Sequence, residues 1–217
     1  MSGLDGLLPT TAAARVLGVA VGIVSSNADP LHHGRVKVRI PALSADVEIT
    51  WASVLTPMAG GGRGLRLLPE EGDTVVVAFE DGDIDRPFVL GAFWAGSQEP
   101  PQGEDPGNDL RLLRSRSGHV VRLDDTEGAE RIEIVDSSGK NTITIDTAKN
   151  EITVHAAGPV TISADGDLKL TAKGNLTLEG NKVDVTAQQN LTLSGTSRTE
   201  LTSKGALAVR GSVVDIN

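Results

Sequence analysis

Residues 152–216 read ITVHAAGPVTISADGDLKLTAKGNLTLEGNKVDVTAQQNLTLSGTSRTELTSKGALAVRGSVVDI, and one phrase recurs through them: two apolar residues separated by one other, at a step close to eight. The pairs are Ile152/Val154, Val160/Ile162, Leu168/Leu170, Leu176/Leu178, Val183/Val185, Leu191/Leu193, Thr199/Leu201, Leu207/Val209 and Val214/Ile216, with Thr199 the one polar member. An i, i+2 spacing puts both side chains of a pair on one face of a strand and the residue between them on the other. Gly158, Gly166, Gly174, Asn181 and Gly205 precede pairs, where a sharp bend needs a permissive backbone. Each octad is thus one strand and one bend, the mark of a repeat architecture.

Such a repeat closes poorly on itself. Three octads make one turn of a three-faced helix, so the run supplies only about three turns, with two apolar residues per face. Three copies wound about one axis would pair every strand edge with a neighbouring chain and remove the exposed edges. The expected architecture is all-β, ending in an intertwined triple-stranded β-helix formed by a homotrimer. Its core is expected to be the apolar members of the pairs from Ile152 to Ile216.

Working outward, the composition shifts near residue 100. All three Phe and both Trp lie between Trp51 and Trp94, so the second half has no aromatic residue with which to widen a core. The formal charge is −9, which disfavours a phosphate-binding surface built from Lys and Arg, and no nucleic-acid partner is expected. Between Glu70 and Asp85 there are seven acids and no base. The chain contains no Cys, which excludes disulfides and thiolate metal sites. No apolar run reaches the roughly 18 residues needed to span a bilayer, and residues 1–15 show neither strand alternation nor a signal-peptide pattern. They are expected to be an arm that orders on contact with something else.

The first half reads as short strands: Val16 to Val24, Arg35 to Ile40, Val47 to Val54, Gly64 to Leu68, Thr74 to Phe79 and Phe88 to Phe93, with a turn-rich loop at Ser25 to Gly34. Strands this short, with Gly at the bends, predict a small closed barrel of the oligonucleotide/oligosaccharide-binding (OB) type. The domains are therefore expected at 1–15 (arm), 16–97 (OB barrel), 98–118 (linker and neck) and 119–217 (needle).

Two stretches carry a resemblance. GIVSSNADPLHHGRVKVRIP (Gly22 to Pro41) and GDTVVVAFEDGDIDRPFVLGAF (Gly72 to Phe93) closely resemble the OB-fold of phage baseplate assembly protein V and of VgrG spike proteins. The octad repeat after the barrel is also what that family uses for its trimeric β-helix. The resemblance implies a non-enzymatic central spike at the baseplate of a phage virion or phage-tail-like particle, assembled in the bacterial cytoplasm. A baseplate hub protein would sit at the OB and N-terminal end, and the needle would point at the target membrane. Some relatives carry a lysozyme domain or a fused hub; neither is expected here, so the hub is expected to be a separate protein. Some end in an iron-binding His-x-His tip, and this chain has no His after His155. Val213, Val214, Asp215, Ile216 and Asn217 would instead form an apolar platform for a separate PAAR-type tip protein. The alternative class is a β-helical polysaccharide-degrading or receptor-binding tail fibre protein.

No catalytic residue, cofactor or metal ligand is expected. His32 and His33 are adjacent, so their side chains diverge in an extended chain. His119 shares parity with Val121 and Leu123 and could meet its symmetry copies on an axis, whereas an exposed neck position is the simpler expectation. His155 has the parity opposite to Ile152 and Val154 and is expected to face solvent. Asp81, Asp83 and Asp85 alternate like a calcium loop but lack its Gly at the sixth and Glu at the twelfth place, where Arg86 and Ala92 stand. Asp81-Gly82 reads as a hairpin turn instead. Gly61 to Gly64 lacks the Lys-Ser/Thr of a phosphate loop, and neither paired carboxylates in an apolar pocket nor a G-x-S-x-G elbow occurs.

Overall fold

The computed structural model describes residues 15–43, 48–101 and 105–216. The arm before Arg15 and the terminal Asn217 lie outside the described residues. The chain divides into two units, one running to Pro159 and one from Val160.

The first unit opens with a closed barrel of β1 (Val19–Ser26), β2 (Arg35–Arg39), β3 (Ala52–Val54), β6 (Thr74–Phe79) and β7 (Pro87–Ala92), in the order β1-β2-β3-β7-β6. All pairings are antiparallel except β3 with β7. Five strands in this order, closed by β1 on β6, form an OB-type barrel, which leaves no free sheet edge. Period-two alternation sends Val36 and Val38 of β2, and Val75, Val77 and Phe79 of β6, into the core beside Val24, Ile40, Ile49, Ala52 and Val89. Gly22 lets β1 approach β2: a Cβ there would lie 2.3 Å from Val38 Cγ1 and 3.1 Å from the Arg39 carbonyl oxygen.

The β1–β2 loop is organised by one carboxylate. Asp29 is buried, and its Oδ1 and Oδ2 accept from Arg35 Nη2 (2.8 Å) and Nε (3.0 Å). The same carboxylate accepts from the backbone amides of Leu31 (3.1 Å), His33 (2.9 Å) and Arg35 (3.3 Å). Those donors hold the Asp29 carboxyl well below the usual carboxylate range, the Arg35 guanidinium contributing most. Pro30 leads into a reversal at His32, which stands at φ 55°, and Gly34 at φ 72°. His32 and His33 therefore serve a turn through their backbone. Arg35 and Lys37 then lie over the Trp51 ring, 5.9 and 5.5 Å from its centroid.

Three elements differ from the alternation reading. The Val47–Val54 strand shrinks to Ala52–Val54, with Glu48 held to Arg39 by an isolated bridge and Val47 outside the described residues. Gly64–Leu68 is not a strand; Arg63–Gly64 (β5) pairs with Ala59–Gly60 (β4) in a separate ribbon, because the intervening glycines favour reversal. Asp81-Gly82 lies in a wider connection than a two-residue hairpin. Asp81 takes φ 53°, Glu80 N donates to Arg86 O at 3.0 Å, and Arg86 pairs with Glu80 at 2.9 Å.

After the barrel, β8 (Leu110–Arg114), β9 (Val120–Asp124), β10 (Arg131–Val135), β11 (Thr142–Asp146) and β12 (Glu151–His155) form an antiparallel sheet in simple meander order. Within residues 98–118, read as linker and neck, β8 is already part of this sheet. Each hairpin after β9, β10 and β11 starts from an aspartate. Asp124 accepts from Thr126 Oγ1, Asp136 from Ser138 Oγ and the Asn141 amide, and Asp146 from the Lys149 amide. Side-chain acceptors of this kind stand in for backbone partners and fix tight turns. All three carboxyls are held low, Asp124 chiefly by the Thr126 hydroxyl, Asp136 at about 2 chiefly by the Ser138 hydroxyl, and Asp146 chiefly by the Lys149 ammonium, with the amide second.

The second unit, 160–216, contains no strand, and every described residue in it is exposed. Bends nevertheless recur at 165–166, 173–174, 181, 188–189, 196–197 and 204–205. The bend half of the octad reading is thus visible in the backbone; the strand half is not, since no strand forms within 160–216.

The residues expected to form a trimer core are uncovered in one copy. Val160, Ile162, Leu168, Leu170, Leu176, Leu178, Val183, Val185, Leu191, Leu193, Leu201, Leu207, Val209 and Ile216 are each more than half exposed, and Val214 is almost so. Ile152 and Val154, on β12 of the first unit, are equally uncovered. The physical reason is that each octad supplies a single extended segment, and no second segment of the same chain lies opposite it to bury the pair. The buried core of a single copy lies in the barrel instead.

Two outcomes test this description. Gly22→Ala forces the new methyl against Val38, whose β-branched side chain cannot easily swing away, and should cost about 1–3 kcal/mol in denaturant unfolding. Asp29→Asn should lower the melting temperature at neutral pH. The folded Asp29 pKa lies below its unfolded value of about 3.9, so the ion pair's contribution is complete above that value and lost as pH falls through the folded one. The gap between parent and variant should therefore narrow steadily as pH falls from about 5 toward 2, without yet vanishing there; a gap constant over that range would contradict the ion-pair account.

Candidate assembly interface

The meander's register sorts its side chains into two unlike faces. One row across the sheet is Leu113, Val121, Ile134, Ile143 and Val154, and the next is Arg111, Leu123, Ile132, Ile145 and Ile152. Apart from Arg111 these are all large aliphatic residues, and each is exposed. The opposite face carries Leu110, Asp124, Arg131, Asp146 and Glu151 in one row, Leu112, Arg122, Glu133, Thr144 and Thr153 in the next, and Arg114, Val120, Val135, Thr142 and His155 in a third. One face is thus almost wholly aliphatic and exposed, while the other mixes charged residues with half-buried aliphatics; the exposed aliphatic face is the one suited to being covered.

The charged residues of the mixed face pair largely with one another, although Arg131 Nε is buried without a hydrogen bond. Arg122 Nε donates to Glu133 Oε2 at 2.8 Å, and Arg131 reaches Asp124 Oδ2 at 3.0 Å and Glu133 Oε2 at 3.3 Å. Asp124 is buried, and Glu133 is only 15% exposed at its side chain. A network with both signs and near-complete pairing sits comfortably at a surface without any further partner. The charged pairs thus distinguish this face from the exposed aliphatic one.

The second unit has the same problem in stronger form. Its aliphatic pairs, from Val160/Ile162 through Val183/Val185 to Leu207/Val209, stand uncovered along the whole run. No backbone–backbone hydrogen bond forms within 160–216 among the described residues. Extended backbone with unpaired N–H and C=O groups beside exposed aliphatics is an open strand edge and an open core at once.

The other sequence-derived positions fall as follows. Ile152 and Val154 lie on the apolar face of β12, while His155 sits opposite Thr142 on the other face. In the expected tip platform, Val213 and Ile216 are among the most exposed aliphatics, at 83% and 89%; Asn217 is outside the described residues. His119 is exposed, and its Nδ1 accepts from the Ser137 amide at 3.1 Å. No group of three or more His, Cys, Asp or Glu among the described residues is placed to hold a metal ion.

Leu113, Val121, Leu123, Ile132, Ile134, Ile143 and Ile145 were missing from the sequence-derived core, which began at Ile152. Their signal is the same i, i+2 phrase, in VVRLD, RIEIV and TITID. It goes unnoticed because these strands repeat at steps of eleven and nine rather than eight.

Residues 20–94 match the family model of the type VI secretion system/phage-baseplate injector OB domain. The chain is 31% identical over 145 residues to the type VI secretion system spike protein VgrG1a of Pseudomonas aeruginosa strain PAO1, covering 59% of this chain and 22% of the relative. For VgrG1b of the same strain the identity is 31% over 144 residues, 58% of this chain and 19% of the relative. For the actin cross-linking toxin VgrG1 of Vibrio cholerae it is 26% over 122 residues, 54% and 11%. The matched part is thus about a fifth or less of the length of these curated relatives. Over that part the chain is VgrG-like, and the matched OB domain coincides with the closed barrel.

Proposed function

We propose that this chain is a central spike subunit of a contractile injection machine, acting as a non-enzymatic homotrimer. The observation that carries the reading is the uncovered apolar surface, continuous in kind from the meander's aliphatic face to the octad pairs. It occurs in a chain whose barrel resembles the injector OB domain.

The mechanism follows from what three copies would do to that surface. Each meander lays its aliphatic face toward its two symmetry mates, and its charged face stays in water. Beyond Pro159, each extended segment pairs its backbone with neighbouring chains and turns its Val, Leu and Ile pair inward, giving an intertwined triple-stranded β-helix. At roughly 25 cal/mol per Å² of apolar area, the octad side chains together contribute tens of kcal/mol per copy before conformational entropy is subtracted. Interchain backbone hydrogen bonds add stiffness, since bending must break several at once. A rod of this kind transmits force, which suits a needle driven through a membrane by contraction of surrounding machinery.

In this reading the barrel end engages a hub protein at the baseplate, and the platform Val213–Asn217 receives a PAAR-type tip. The particle is a phage tail or a phage-tail-like or type VI-like device, and the target membrane is its mechanical substrate. The support for hub and tip is the resemblance of the barrel and the exposure of Val213 and Ile216.

The test is the native mass of the full-length chain by light scattering after size exclusion, with face-specific variants. The parent should elute near three times 22.5 kDa. Ile143→Lys and Thr144→Lys change neighbours on opposite faces of β11, so the first should abolish the trimer and the second retain it. Leu176→Asp, which would bring three carboxylates near one axis, should also abolish it. A folded parent monomer, or equal tolerance of both β11 variants, would overturn the reading.

A further inference from the structure

We infer that the barrels of neighbouring copies lock together through a cationic ribbon on one copy and an aromatic, acidic recess on the next. This rests on the trimeric reading above and assigns a barrel-to-barrel contact within it.

A three-membered ring needs a heterologous interface, with two different and complementary patches on each copy. For barrels standing side by side, those patches must also lie at a common level. The strand registers identify one end of the barrel at which both requirements are met. Ile23 pairs with Thr74 and Ala92 with Val75, so β1 finishes, β6 begins and β7 finishes at that end. β3 runs parallel to β7, so the β4–β5 ribbon that follows β3 emerges there too.

The first patch is the concavity between the β1–β2 loop and the ribbon. It is lined by His32, His33, Arg63 and Arg66 over Met58 and Leu65, with no acidic residue among its lining. Thr56 Oγ1 donates to Leu65 O at 2.6 Å and pins the base of the ribbon. Gly60 makes room for the Arg63 guanidinium, whose Cζ would lie 3.0 Å from any Cβ at that position. Strands of two residues are too short to be stable alone, yet Met58 is 55% and Leu65 47% exposed on this one. Such a ribbon gains order by resting on something.

The second patch is the recess lined by Asp73, Phe93, Trp94, Gln98 and Glu99, with no basic residue among its lining. Trp94 is 61% exposed, and Phe93 beside it 41%. An indole face flanked by carboxylates is a receptor for a guanidinium, which stacks on the ring and pairs with the acid. The chain already uses that chemistry internally, where Arg35 and Lys37 lie over Trp51. Charge, aromatic content and level on the barrel all match between the two patches. The geometry therefore seats the Arg63/Arg66 ribbon of one copy against Trp94 and Glu99 of the next, three times around the ring.

Because the chain has no cysteine, the contact is testable by placed thiols. Full-length chains carrying both Arg63→Cys and Glu99→Cys, treated with a short bis-maleimide, should give linked dimers and trimers on a denaturing gel. Chains carrying either cysteine alone should stay unlinked. As a second readout, Arg63→Glu with Arg66→Glu should lower the melting temperature of the trimer by several degrees, and Glu99→Arg in the same chain should restore part of it. A species of trimeric mass that yields no linked chains, or single-cysteine chains that link equally well, would overturn this pairing and leave the trimer standing. A monomeric parent chain would overturn both.

Discussion

The structure turns on the requirement that a strand's backbone polar groups and its inward side chains both find partners. The barrel meets it within one copy, since β1 closes on β6 and ten apolar residues fill the interior. The meander meets part of it: its inner strands pair on both sides, but β8 and β12 each pair on one side only and its aliphatic face is bare. Residues 160–216 meet neither half. Self-sufficiency thus falls along the chain, and what one copy lacks is of the kind other copies can supply.

This gradient gives the polar groups a coherent role. Asp29 with Arg35, and the aspartates that open the meander's hairpins, spend their charge on local geometry. They fix turns, and turns fix the register on which face identity depends. The Arg122–Glu133–Arg131–Asp124 network keeps one face of the meander content in water, which leaves the other face as the surface to be covered. The low carboxyls of Asp29, Asp124, Asp136 and Asp146 are explained by turn donors and ion pairs.

Much of this was legible in the sequence because period-two patterns survive any partner arrangement. The strand at Thr74–Phe79 is found as read, and the octad bends fall where Gly166, Gly174, Asn181 and Gly205 put them. The pairs themselves, such as Val160/Ile162 and Leu207/Val209, were legible as pattern, but burial is a property of neighbours, and one copy provides none for them. What escaped reading depended on contacts across the chain. Asp29 is an ordinary acid in a loop until Arg35 folds back on it. The β4–β5 ribbon has too little alternation to be seen and is fixed by glycine reversal and the Thr56 hydroxyl. The aliphatic rows of the meander emerge only when the register aligns strands of unequal spacing. The alternation of Val47–Val54 overstated a strand: the ladder takes up only Ala52–Val54, with Glu48 bridged singly to Arg39.

The most direct measurement is amide hydrogen exchange on the full-length protein under native conditions, resolved along residues 160–216. If copies supply the missing partners, amides in the extended segments between the bends should be protected to a degree comparable with β6 of the barrel, despite having no bonds within one chain. Exchange at the free-chain rate throughout 160–216, with the barrel protected, would mean that the repeat remains unpaired in solution, and the account of a braided needle would fail.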